Sequence, residues 1–143
     1  MTASTQERPS ADEILARVFG FSGFRPGQEE IARAVIDGQD VLAIMPTGGG
    51  KSLCFQLPAL CREGLTVVIS PLIALMRDQV RALQEAGVAA AALTSGNDPA
   101  ENEAIFSALD EGRLKLLYIA PERLAASATT ALLRRSNCTL IAV

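Results

Sequence analysis

The stretch Met45-Pro46-Thr47-Gly48-Gly49-Gly50-Lys51-Ser52 constrains this chain more than any other. The unbroken apolar run Val41-Leu42-Ala43-Ile44 leads into it and predicts a strand. The helix-compatible stretch Leu53-Cys54-Phe55-Gln56-Leu57 follows. Strand, glycine-rich turn and Gly-Lys-Ser opening a helix together make a phosphate cradle. Glycines take positive φ and let the backbone come close to a ligand. Successive N–H groups then point into one concavity, and the helix N-terminus adds partial positive charge. In such a cradle Lys51 reaches the β- and γ-phosphates, and the Ser52 hydroxyl ligates Mg²⁺. The competing reading is a plain strand-to-helix turn, but three adjacent glycines cost conformational entropy that a turn alone does not require. One position departs from the general pattern: Met45 stands six places before the lysine, where a glycine is usual.

The 143 residues suffice for one domain with a real core. A hydrophobic content of 49% with 20% charge predicts a soluble globular chain rather than a disordered one. No apolar run reaches the length of a membrane span, and residues Met1 to Arg8 carry no signal-peptide pattern. A cytoplasmic protein is expected. Cys54, Cys61 and Cys138 are odd in number and lack metal-ligand spacing, so they read as buried thiols in a reducing compartment. The net charge of -3 excludes a bulk basic field, though not a local groove. Lys51 and Lys115 are the only lysines, and with abundant alanine the arginine excess hints at a GC-rich bacterial genome.

Residues Met1 to Pro9 read as a frayed tail. Ser10 caps a helix carrying Ile14, Leu15 and Val18 on one side, with Glu13 at the capping-box position. Phe19 to Gln28 is a loop holding Phe19, Phe21 and Phe24, broken by glycines and Pro26. The next helix turns Ile31, Val35 and Ile36 inward and ends at Gly38. Leu65 to Ile69 is a buried strand ended by Ser70-Pro71. Leu72, Leu75, Met76, Val80 and Leu83 then recur at helical spacing up to Gly87. Val88 to Leu93 reads as a strand from its flanks, against the helix preference of alanine. Asp98-Pro99-Ala100-Glu101 is a helix start, with Ile105, Phe106 and Leu109 on the inner face and Gly112 as the stop. A strand over Leu114 to Ile119, a helical stretch from Pro121 and an apolar strand over Thr139 to Val143 complete the pattern.

Strands alternating with helices predict a parallel sheet covered on both faces, an α/β fold. Ligands of such sheets bind beyond the carboxyl ends of the strands. Four loops are expected at that edge: Pro46 to Ser52, Ser70-Pro71-Leu72, Thr94-Ser95-Gly96 and Ala120 to Arg123.

From about Leu15 to Val143 the chain resembles the first lobe of RecQ-type, superfamily 2 DNA helicases. Leu15, Phe19-Gly20, Phe24-Arg25 and Gln28 are similar to that family's motif 0. Pro46 to Ser52 looks like its motif I, in a version where the first glycine is relaxed. Ser70 to Gln79 resembles motif Ia, and Tyr118 to Leu124 resembles the motif after it. The resemblance implies a RecA-like P-loop lobe over residues 10–143, with ATP and Mg²⁺ as cofactors. It implies that Thr47, Gly48, Gly49, Gly50, Lys51 and Ser52 hold the triphosphate and its metal. Phe21 takes the place of an aromatic that stacks on adenine, Arg25 lies against the base or its loop, and Gln28 reads the adenine edge. A carboxamide suits that role because it offers a paired donor and acceptor. Plain core packing is the competing reading for Phe19 and Phe24, and a solvated first-turn residue for Gln28. Ser70, Pro71, Thr94, Ser95, Pro121 and Arg123 are implied contacts for single-stranded or partly unwound DNA. From the residues alone, Ser70 reads equally as a helix cap and Arg123 as a solvated side chain.

Phosphoryl transfer also needs a metal-holding carboxylate, a group to position water and usually an arginine finger. The family has an Asp-Glu-Ala-His box after the strand that ends here at Val143, a later strand beside the phosphate-loop strand, and a second lobe. The chain is therefore expected to be the N-terminal portion of a 3′ to 5′ DNA helicase, inactive in unwinding by itself. A nucleotide- or nucleic-acid-binding fragment without turnover is the alternative, as is another superfamily 2 ATPase such as an RNA helicase. Ser70-Pro71-Leu72 argues against the last, since RNA helicases carry a Pro-Thr-Arg-Glu-Leu type of stretch there.

Overall fold

The computed structural model describes residues 10–45 and 50–143. The expected tail over Met1 to Pro9, and Pro46, Thr47, Gly48 and Gly49 of the phosphate loop, lie outside the described residues. The chain divides into two units, Met1–Arg62 and Glu63–Val143.

The first unit is built from three helices: α1 (Ala11–Arg17), α2 (Gln28–Ile36) and α3 (Leu53–Cys61). Ser10 caps α1 as expected, its Oγ accepting from the Glu13 N–H at 3.2 Å. Ala11, Ile14 and Leu15 of α1, Ala32 of α2, and Leu53, Leu57 and Cys61 of α3 form one apolar cluster. Phe19 and Phe24 pack on it, so core packing accounts for both. Ala32 takes the inward position expected of Ile31, which is only half-buried. At the C-terminus of α2 the Arg62 guanidinium donates to the Val35 carbonyl at 2.7 Å. A cation there satisfies an orphan carbonyl and complements the helix dipole.

The strand expected over Val41 to Ile44 does not form. These residues have no regular secondary structure, and Leu42 and Ile44 are each 92% exposed. An apolar run favours extended backbone, but a strand exists only where a neighbour takes up its N–H and C=O groups. Among the described residues none does so here.

The second unit is a four-stranded sheet in the order β2-β3-β1-β4, parallel throughout: β1 (Leu65–Ile69), β2 (Ala90–Leu93), β3 (Leu116–Ile119) and β4 (Cys138–Ala142). The helices α4 (Ile73–Glu85), α5 (Pro99–Asp110) and α6 (Ser127–Arg135) connect them, with a short 3₁₀ turn at Pro121–Ala125. Side chains alternate across the central strands. Leu65, Val67, Leu93, Leu117 and Ile119 join Ile105 and Leu109 of α5 and Leu132 of α6 in one cluster. Tyr118 points the other way, toward α4, and its hydroxyl donates to Gln79 Oε1 at 2.8 Å. Helices therefore cover both faces, as the continuous apolar strands require.

The helix starts and stops follow the expected chemistry, with three corrections. Asp98 Oδ1 accepts from the Glu101 N–H at 2.8 Å, and Pro99 opens α5. Met76, Val80 and Leu83 are buried on α4, but Leu72 and Leu75 are exposed. Leu72 is the N-cap, outside the helix proper, and Leu75 stands about 100° around the helix from the buried Met76. Phe106 on α5 is likewise partly in solvent, because Ile105 and Leu109 already fill the face that meets the sheet.

β2 is an edge strand with an unusual finish. Ala89 and Leu93 carbonyls accept from Lys115 and Ala120, so the alternate carbonyls of Ala90 and Ala92 face away from β3. Both are capped by side-chain amides. Gln84 Nε2 donates to Ala90 at 2.9 Å, and Asn97 Nδ2 donates to Ala92 at 2.8 Å. An edge so covered is a poor template for another strand.

Leu117, fully buried in the central strand, should lose about 2–5 kcal/mol of stability on substitution by alanine. Ile141→Ala, at a side chain 60% exposed on β4, should stay within about 0.5 kcal/mol of the parent. Urea unfolding of both variants measures the contrast.

Candidate nucleotide and nucleic-acid site

The phosphate loop re-enters the described residues at Gly50, which has φ +76. A β-carbon there would lie 2.1 Å from Gln28 Nε2, so a larger residue would push the carboxamide from its place as well as strain the backbone. Gln28 is the first residue of α2 and is buried, which removes its reading as a solvated surface residue. Its carboxamide is held at both ends. Oε1 accepts from the Arg25 backbone N–H at 2.8 Å, and Nε2 donates to the Gly50 carbonyl at 3.1 Å. A carboxamide carries two N–H groups and two acceptor lone pairs, so these two bonds among the described residues use one of each.

The other expected nucleotide residues differ in exposure. Phe21 is 49% exposed, while its neighbours Phe19 and Phe24 pack inward. Arg25 is exposed, and its Cδ lies near Gly50. Lys51 is exposed and Ser52 half-buried, in the turn just before α3. The Ser52 side chain makes no capping bond to that helix. Thr47, Gly48 and Gly49 lie outside the described residues. Behind the loop, Cys54 Sγ is 3.8 Å from Met45 Sδ and 3.9 Å from the Gly50 carbonyl oxygen. Burial pushes the Cys54 thiol up from its ordinary pKa. Cys138 on β4 is also raised by burial, with backbone hydrogen bonds pulling the other way.

In the sheet unit, Ile69 and Leu93 both register with Ile119, so the loops after β1, β2 and β3 leave from one edge. Ser70 Oγ accepts from the Leu72 N–H at 3.2 Å, closing the turn before α4. Thr94 is buried, and its hydroxyl is spent inside its own loop. It accepts from the Gly96 N–H at 3.3 Å and from Arg77 Nη2 at 3.4 Å, and donates to Asn97 Oδ1 at 3.1 Å. Pro71, Ser95 and Pro121 are exposed. Arg123 is half-buried, and its Nε has no hydrogen-bond partner among the described residues.

Comparison with known proteins adds an independent line. The model of the DEAD/DEAH box helicase family matches residues 25–142. The chain belongs to that family. It is 47% identical over 137 residues to the ATP-dependent DNA helicase RecQ of Haemophilus influenzae, covering 96% of this chain and 22% of that one. It is 48% identical over 134 residues to the RecQ of Bacillus subtilis, covering 93% and 23%. The chain thus spans about a fifth of the length of these relatives. Its fold is similar to that of a hypothetical ATP-dependent RNA helicase from Sulfolobus tokodaii, with a TM-score of 0.70 over 92% of this chain and 39% of that one, at 19% identity. No helix among the described residues of this helicase-family chain is long and apolar enough to cross a membrane.

Two residues of the motif segments had no role assigned from the sequence. Gln79 lies in the motif Ia segment, yet it bonds the buried Tyr118 instead of standing at the ligand edge. The signal was available: a lone tyrosine in the apolar run Leu116-Leu117-Tyr118-Ile119 needs a partner for its hydroxyl. Arg77 is the second, its guanidinium resting against the Thr94 loop.

Gly50→Ala should cost about 1–3 kcal/mol from its left-handed backbone, with a further loss from displacing Gln28. In a Gln28→Ala background the extra loss should vanish, so the two substitutions should be less than additive in urea unfolding. For Cys54, iodoacetamide should label the native chain slowly and the urea-unfolded chain quickly. A thiol raised in the folded state keeps its proton while the unfolded thiol loses it, so its contribution to stability should fall as pH climbs through the ordinary thiol range.

Proposed function

We propose that this chain is the nucleotide-binding portion of the first lobe of an ATP-dependent DNA helicase. Its substrate would be single-stranded or partly unwound DNA met in recombination and repair, with travel 3′ to 5′. The observation that carries the reading is the hydrogen bond from Gln28 to Gly50, which ties motif 0 to the phosphate loop across 22 positions of sequence.

The residues present suit MgATP. At Gly50 the Gln28 carboxamide fills the space a β-carbon would take. Lys51 is exposed for charge neutralisation, and the Ser52 hydroxyl is not consumed by helix capping. Lys51 would hold the triphosphate and Ser52 the magnesium ion. The exposed ring of Phe21 supplies a stacking face for a base. The other N–H and lone pair of the Gln28 carboxamide match the N6 and N7 positions of adenine. Bound MgATP supplies the phosphoanhydride whose hydrolysis drives movement along a strand. The chain itself positions the base and the phosphates. Identity to RecQ helicases over nearly the whole chain favours DNA as the polymer.

Titration of the chain with a fluorescent ATP analogue and Mg²⁺ tests the reading. Saturable binding is expected, and Lys51→Ala should abolish it. An unchanged affinity in that variant would show that Lys51 does not hold the triphosphate.

A further inference from the structure

An open groove of about 420 Å³ runs between α4 and α5 along the free side of β2. Arg77, Arg81 and Gln84 of α4 form one wall, Ala91 and Ala92 the floor, and Asn97 and Glu101 stand opposite. Arg77 and Arg81 are four residues apart, so they lie on one face of the helix about 6 Å apart along its axis. Both are exposed, and among the described residues no carboxylate pairs with either guanidinium. Asp78 and Glu85 also lie on α4, but neither lines the groove. With Glu101 counted, the groove still carries one positive charge in excess, concentrated on the α4 wall. The chain as a whole is negative, at -3.

The groove opens at the carboxyl edge. Arg77 Nη2 is 3.4 Å from Thr94 Oγ1, and a β-carbon on Gly96 would come within 2.7 Å of that same nitrogen. From there the wall continues through Arg81 to Gln84, one turn at a time. An added β-strand is excluded as the occupant, because Gln84 and Asn97 already take the outward carbonyls of β2.

We propose that Arg77 and Arg81 contact successive phosphates of a single-stranded DNA that leaves the carboxyl edge of the sheet and descends along the free side of β2. The proposal rests on the DNA-binding reading above and extends it from Arg77, within the motif Ia segment, to Arg81 and the groove beyond that segment. Such contacts hold backbone and carry no base preference.

The test is fluorescence anisotropy of labelled oligo-dT with the full chain, across a salt series. For single strands the slope of log K against log salt is about -0.7 per phosphate contact. Arg81→Gln should weaken binding and make the slope shallower by about 0.7, with an unchanged melting temperature. Arg81→Lys should keep the slope. Arg77→Gln should act in the same direction, though its bond to Thr94 makes Arg81 the decisive site. Arg134→Gln, at an exposed arginine on α6, should leave the slope alone. If Arg81→Gln keeps the parent affinity and slope, or Arg134→Gln shifts them equally, the track is overturned and the DNA-binding reading stands. If the parent chain fails to bind oligo-dT at low salt, the DNA-binding reading falls and takes the track with it.

Discussion

A parallel strand in a doubly covered sheet has no side it can show to water. β1 and β3 meet this constraint at nearly every position, and the rest of the second unit follows from it. Each strand must be joined to the next by a connection that recrosses the sheet, so helices are needed on both faces. All strands then run the same way, and their carboxyl ends fall on one edge. The loops that leave this edge are released from core packing and are open to other uses. The edge strands relax the demand. β4 half-buries alternate residues and exposes the others, and β2 hides its spare carbonyls under amides.

The first unit is organised by a polar group instead. Burying a carboxamide is costly unless its donors and acceptors find partners. Gln28 finds one on each side, in the loop before its own helix and in the loop before the next. The glycine at position 50 is demanded by that bond as much as by any phosphate, since the side-chain nitrogen occupies the space a β-carbon would need. One contact thus shapes the backbone of two loops that are far apart in sequence.

Much of this was legible beforehand, for reasons that differ by residue. Ser10 and Asp98 were readable as caps because capping is local chemistry with few competitors. β1 and β3 were readable because a strand buried on both faces is apolar at nearly every position. Val41 to Ile44 misled because apolar character records a preference for burial and says nothing of which neighbour supplies it. Leu75 and Phe106 misled because each adjoins a buried residue, Met76 and Ile105, and so stands about 100° around the helix from the inner face, while Leu72 precedes the helix as its N-cap. In the candidate site, Gln28 and Gly50 were each singled out by motif, but their direct bond is a tertiary contact that no local pattern encodes. Thr94 was a plausible surface hydroxyl in the sequence, and the turn at Gly96 folded it inward.

The hydrogen bond between Tyr118 and Gln79 has a mechanical consequence for α4. A helix seated on a sheet by methyl and methylene groups alone can roll or slide by a fraction of a turn at small loss, since one apolar contact replaces another. A phenol and a carboxamide facing each other across that seam oppose this freedom, because a roll breaks the bond that serves the buried Tyr118 hydroxyl. The pair works as an indexing pin: it fixes the helix at one angle of rotation, and with it the direction in which every outward side chain of α4 is aimed.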